Sequence, residues 1–285
     1  MPARILVING NPRASTDRIV SLGGRPYGEG YTDALRFFEP DLDVTVLDAA
    51  DGGRLPNSIA IADFDGAAWT GSALSAYWDQ PAVRDQIELA RAINDAGVPS
   101  FGSCWGQQIV CQALGGAVRA NPKGIEIGVA RRIVLTPEGR AHPMYDGKAA
   151  AFDALAIHKD EVESLPEGAV VLSGNALSDI QSVFIPGRDG GDFWGVQYHP
   201  EFDLATIAVL IGRDKASLIE QGLFADESAL LSLAEDYRAL SADPGRKDLA
   251  WRYGIDATVL DPALRMAELG NWLRQKALPR AGRRA

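Results

Sequence analysis

The side chains able to do covalent chemistry are few: two cysteines and three histidines in 285 residues. Cys104 stands in FGSCWGQQ (101–108), with Gly102 and Gly106 on either side. Glycines so placed allow a sharp strand-to-helix turn, which presents the side chain and leaves the next N–H groups free at a helix start. A helix N-terminus favours a thiolate there, and the N–H of Trp105 is positioned to meet an oxyanion. The bland alternative is a buried structural cysteine. Cys111, on the apolar side of the following helical stretch, is read that way.

A cysteine nucleophile needs an imidazole. His199 follows FWGVQY and precedes Pro200 and Glu201, which places it at a strand end, on the sheet edge expected for Cys104. Glu201 is close enough in sequence to accept the other ring N–H and fix the tautomer. His142, in GRAHPMYDG, reads as a surface residue. His158, in AIHKDEVESLP, reads as a loop or interface histidine at the end of another strand. A tetrahedral intermediate needs a second donor from elsewhere, and Gly71 in WTGSALS ends a strand that reaches the same edge.

The elements that must position these residues are legible as runs. RILVING (4–10) and DVTVLDA (43–49) are short β-branched stretches, with a helical EGYTDALRFFEP between them that stops at Pro40. The order repeats with FDGAAWTG, the helical PAVRDQIELARAINDAG and VPSFGS. Such alternation gives an α/β fold with a mostly parallel sheet, whose ligands sit beyond the carboxyl ends of the strands. From about residue 117 the chain becomes β-rich, through IGVARRIVLT, AFDALAIH, AVVLSGN, DIQSVFIP and DFWGVQYH, which predicts added antiparallel strands. After His199 it turns helical again, with Asp261 as a cap and Pro262 in the first turn of the last segment. The expected division is residues 1–210 as the core domain and 211–285 as a helical C-terminal extension packed on it.

Composition limits the partners. A formal charge of -10 opposes a nucleic-acid surface, and the basic RAGRR near the C-terminus reads as a solvated, frayed end. No run approaches the roughly 18 apolar residues of a membrane span. Two cysteines make no disulfide framework, and the start MPARILVING lacks a signal-peptide cleavage pattern, so the expected location is cytoplasmic. No cofactor and no metal are expected.

With these pieces placed, the sequence resembles the class I (triad) glutamine amidotransferases, particularly the free-standing branch similar to the amidotransferase domain of GMP synthase. The matching segments are GSCWGQQ, VQYHPEF, WTGS, GIEIG and IHKDEVESLPEGAVVL, in the family's order across most of residues 4–210. The resemblance implies a flavodoxin-like three-layer sandwich and a γ-glutamyl thioester on Cys104. It implies that His199 shuttles the proton, Glu201 orients it, and the N–H groups of Gly71 and Trp105 hold the oxyanion. It further implies substrate contacts from Ser72, Gln108, Glu126 and Gly128, with Gln108 near the amino-acid end.

Two features depart from the pattern. NPRASTDRIVSLGGRPYGEG makes the loop after the first strand longer than the family needs, and it lacks the Gly-Lys-Ser/Thr ending of a phosphate loop. The helical tail, with Trp251 and Trp272, has no counterpart in the family core, and its aromatics read as packing or an oligomer face. The functional readings are therefore a glutaminase feeding ammonia to a separate synthase chain, a stand-alone hydrolase or transferase of γ-glutamyl compounds, or a non-catalytic binding module. The expected partner is a small-molecule substrate, with homo-oligomerisation left open.

Overall fold

The computed structural model describes residues 2–284. Eleven strands form: β1 (Arg4–Asn9), β2 (Asp43–Asp48), β3 (Gly66–Trp69), β4 (Ser100–Ser103), β5 (Ala117–Ala120), β6 (Glu126–Leu135), β7 (Ala151–His158), β8 (Asp160–Ser164), β9 (Val170–Gly174), β10 (Ser182–Ile185) and β11 (Phe193–Val196). Nine of them make one sheet in the order β2-β1-β3-β4-β11-β10-β9-β6-β7. The first five of that order are parallel, and each later neighbour is antiparallel. Parallel strands need both faces covered, which is why RILVIN is apolar almost throughout.

Alternation along β1 sorts its side chains between two cores. Leu6 and Ile8 join Trp69, Ile93 and Ile109 beneath α3 (Pro81–Asp95) and α4 (Trp105–Ala113). Ile5 and Val7 join Tyr31 and Leu35 of α2 (Tyr27–Phe38) on the opposite face. The result is a three-layer α/β sandwich, as expected.

The structure adds elements that the patterning did not reveal. The long segment after β1 is not all loop: residues Arg13–Ser21 form a helix, α1, with Ile19 buried against a third core. Its helical period was masked because Ile19 is its one buried residue and the remaining positions are polar or exposed. β5 and β8 pair as a separate two-stranded antiparallel sheet. His142 is half-buried rather than a free surface residue, packed between the rings of Phe184 and Trp194 at centroid distances of 4.9 and 4.8 Å.

Beyond His199 the chain is helical. A short α5 (Pro137–Ala141) precedes this region, which comprises α6 (Leu204–Arg213), α7 (Lys215–Glu220), α8 (Glu227–Ala242), α9 (Lys247–Tyr253), α10 (Ala257–Leu260), α11 (Pro262–Arg265), α12 (Ala267–Trp272) and α13 (Leu278–Arg284). Asp261 caps α11 as expected, accepting from the N–H groups of Ala263 and Leu264. RAGRR lies in α13 rather than in a frayed end, and Arg280 donates to the Gly97 carbonyl at 2.7 Å. Trp272 is fully buried in the core that holds Phe101 and Tyr31, whereas Trp251 is 80% exposed. No helix among the described residues is long and apolar enough to cross a membrane.

Candidate active site

The site forms where β4, β11 and β7 end. Cys104 caps α4 with φ 50° and ψ -98°, a backbone conformation L-residues rarely adopt, at a cost of about 1–3 kcal/mol. Two glycines let the turn close. A Cβ on Gly102 would lie 2.7 Å from the Gly106 carbonyl carbon, and one on Gly106 would lie 2.5 Å from Trp69 Cβ. The Cys104 N–H donates to the Val196 carbonyl at 2.7 Å, tying the turn to β11.

His199 is anchored by its own N–H, which donates to the Leu155 carbonyl of β7 at 2.7 Å. Its ring stacks on Phe202 at 4.0 Å and 4°. Nδ1 lies 2.7 Å from Glu201 Oε1, and both side chains are buried. The second carboxylate oxygen, Oε2, accepts from Ser103 Oγ at 2.9 Å, and Ser103 in turn is 3.0 Å from Tyr31 Oη. Glu201 is thus held between the histidine and the residue that precedes Cys104. Gly71 meets the same imidazole: a Cβ there would stand 2.7 Å from His199 Cε1.

Burial pushes the Cys104 thiol up to about 12, helped by the negative charges of Glu201 and Asp160. The Trp105 N–H and Gln197 pull in the other direction without winning. Desolvation at this sulfur thus works against the helix terminus. Its Sγ lies 3.7 Å from the Ile157 carbonyl. Cys111 is fully buried and is likewise raised to about 12 by burial.

A cavity of about 330 Å3 opens on Cys104. Its lining includes Ser72, Leu74, Gln108, Ile157 and Asp160. Gln108 donates its amide nitrogen to the Asp160 carbonyl at 3.0 Å and to Gln197 Oε1 at 3.2 Å. Glu126 and Gly128 do not line this cavity. Glu126 is 2.8 Å from His158 Nε2 and accepts from Asn175 at 2.7 Å and Gln181 at 2.6 Å, while Gly128, at φ 93°, lies beneath the Tyr237 hydroxyl. Burial works to raise the Glu126 carboxyl, and its hydrogen bonds together with the His158 charge outweigh burial, holding it below the usual carboxylate value. His158 is accordingly a buried, paired residue. The described residues hold no group of three or more His, Cys, Asp or Glu side chains that would bind a metal.

The model of the glutamine amidotransferase class-I family matches residues 71–213, the stretch that carries Gly71, Cys104, His199 and Glu201. The chain belongs to this family. It is 32% identical to the γ-glutamyl-L-1-hydroxyisopropylamide hydrolase of Pseudomonas sp., over 99% of this chain and 95% of that protein. It is 26% identical to γ-glutamyl peptidase 3 of Arabidopsis thaliana, over 62% of this chain and 70% of that one. With GMP synthase of Zymomonas mobilis the likeness is 36% over 37% of this chain and only 19% of that protein. A glutamine amidotransferase structure from Thermotoga maritima superposes with a TM-score of 0.66 at 18% identity, covering 96% of this chain and 98% of that one.

Within this class-I frame, sequence reasoning missed Ser103, Tyr31, Phe202 and Gln197. Ser103 and Phe202 each adjoin a residue singled out for chemistry, so their positions were a usable signal. Tyr31 and Gln197 arrive through tertiary packing alone.

Proposed function

We propose that this chain hydrolyses γ-glutamyl amides with Cys104 as the nucleophile, working without a synthase subunit. The observation that carries the proposal is the grip on Glu201, whose two oxygens are taken by His199 and Ser103 immediately beside the strained Cys104. A carboxylate so fixed holds the imidazole with a proton on Nδ1 and leaves Nε2 as the base.

The chemistry follows in balanced steps. His199 Nε2 takes the thiol proton as Sγ attacks the γ-carbonyl carbon. The oxygen becomes an oxyanion, and the N–H groups of Gly71 and Trp105 receive it. The C–N bond then breaks, with the imidazolium proton leaving on the amine and a γ-glutamyl thioester remaining. Water, deprotonated by the same imidazole, attacks the thioester and releases glutamate and the thiol. The buried thiol suits this order, because a general base is required to generate the nucleophile when substrate is in place. Ser72 and Gln108 contact the glutamyl part.

The stand-alone reading is favoured by the span of likeness. It covers 95% of a γ-glutamyl amide hydrolase, against 19% of one GMP synthase and 36% of another. The second reading, a glutaminase feeding ammonia to another chain, keeps the same thioester. Steady-state hydrolysis of γ-glutamyl dipeptides and of glutamine by the purified chain decides between them. Turnover of the dipeptides exceeding that of glutamine, with no partner added, is the expected result; glutamine turnover alone, at a rate that needs a second protein, contradicts it.

A further inference from the structure

Part of the cavity lining comes from parts of the chain outside the family-matched segment. Ser15 and Arg18 come from α1, and Ser217 and Gln221 come from α7 and the turn after it; Arg213, the last residue of the matched segment, adjoins them at the end of α6. These residues carry none of the triad. A wall shared across the family suits the part of the substrate common to the family, the γ-glutamyl group. Lining from outside the family-matched segment suits the part that differs, the leaving amine.

The charges on the lining separate into satisfied and unsatisfied groups. Arg213 is bidentate on Asp214 at 2.8 and 2.6 Å. Asp160 accepts from Ser75 at 2.6 Å and from Tyr77 at 3.1 Å, and His158 is paired with Glu126. Two cations remain with no carboxylate in ion-pair reach among the described residues: Lys159, which lies over the Trp78 ring, and Arg18. Lys159 lies within the family-matched segment, and Arg18 outside it on α1. Arg18 is not loose, for its Nη2 donates to the Arg213 carbonyl at 2.8 Å. That bond uses one of five guanidinium N–H donors and tethers the guanidinium on the cavity lining.

We infer that Arg18 is a specificity-determining residue that binds a carboxylate on the leaving amine, so that the preferred substrates are γ-glutamyl amino acids rather than γ-glutamyl amides of neutral amines. The inference deepens the proposed γ-glutamyl hydrolase reading and rests on it. A fork with free parallel donors matches a carboxylate in a way that a hydroxyl cannot. The cavity, near the lower end of the roughly 300–1,000 Å3 of small-molecule sites, fits a dipeptide-sized ligand.

The test compares γ-glutamylalanine with γ-glutamylalaninol, which differ only in carboxylate against hydroxymethyl, and reads the ratio of their kcat/KM values. The wild-type chain should favour γ-glutamylalanine about ten- to hundredfold, as expected of a charge-assisted hydrogen bond. Arg18→Met should bring the ratio close to one, and Arg18→Lys should retain part of the preference. Both rates come from one preparation, so any unfolded fraction cancels in the ratio. Equal wild-type turnover of the two, or an Arg18→Met ratio unchanged from wild type, overturns the assignment. If neither conjugate is hydrolysed while free glutamine is, the γ-glutamyl conjugate reading itself fails, and the role of Arg18 with it.

Discussion

Burial decides the resting state of Cys104. Its thiol is pushed up to about 12, which predicts a protonated sulfur across the neutral range. Alkylation by iodoacetamide should therefore accelerate steadily from roughly pH 7 to pH 10, following the thiolate fraction. A plateau with a midpoint at or below about pH 7 would mean a preformed thiolate–imidazolium pair. Gly71 is constrained by space rather than by backbone freedom: an added methyl would sit 2.7 Å from His199 Cε1. Gly71→Ala should displace the ring and lower kcat by about a hundredfold, with the thermal midpoint little changed. Unchanged kinetics would show that the imidazole has room to spare.

At the scale of elements, the antiparallel side of the sheet is pinned by one carboxylate. Glu126 on β6 meets His158 on β7, Gln181 beside β10, and Asn175 after β9. Its carboxyl is held below the usual value, so the stability it contributes is present above its unfolded value near pH 4 and is lost as pH falls through the folded one. Urea midpoints measured from about pH 6 to pH 3 should fall less steeply for Glu126→Gln than for wild type, from a lower starting stability. Equal slopes would remove Glu126 from the acid response. The parallel half of the sheet was readable because apolar runs alternate there with amphipathic helices, and the elbow was readable because Gly102 and Gly106 bracket Cys104. α1 was not, since a helix with one buried residue leaves no stripe, and the inward turn of Glu126 was not, since its partners lie 32 to 55 residues away. The grouping of His199 with Glu201 beside the Cys104 turn was the most legible part of the candidate site, because so few histidines compete for the role.

For the whole molecule, the C-terminal helices complete the cores. Leu269 and Trp272 pack in the core that holds Ile5 and Val7, and Leu230, Ala234 and Leu240 pack in the core that holds Leu155. Glu268 of α12 is fully buried against Lys148, at 2.5 Å, and also accepts from Tyr198, the residue before His199. Burial lowers the Lys148 ammonium despite the Glu268 charge. Removing one partner leaves the other charged in an apolar setting. Glu268→Leu should lose about 3–5 kcal/mol of unfolding free energy, and adding Lys148→Met should recover most of it. If the double variant is as unstable as the single one, the pair is not the source of the loss.

The most direct measurement is the intact mass of the protein, acid-quenched during turnover of a γ-glutamyl dipeptide, followed by mapping of the modified peptide. One glutamyl group should appear on the peptide holding Cys104, persist in Cys111→Ala, and be absent, along with turnover, from Cys104→Ala. Hydrolysis that continues in Cys104→Ala, or an adduct carried by Cys111, would contradict the account.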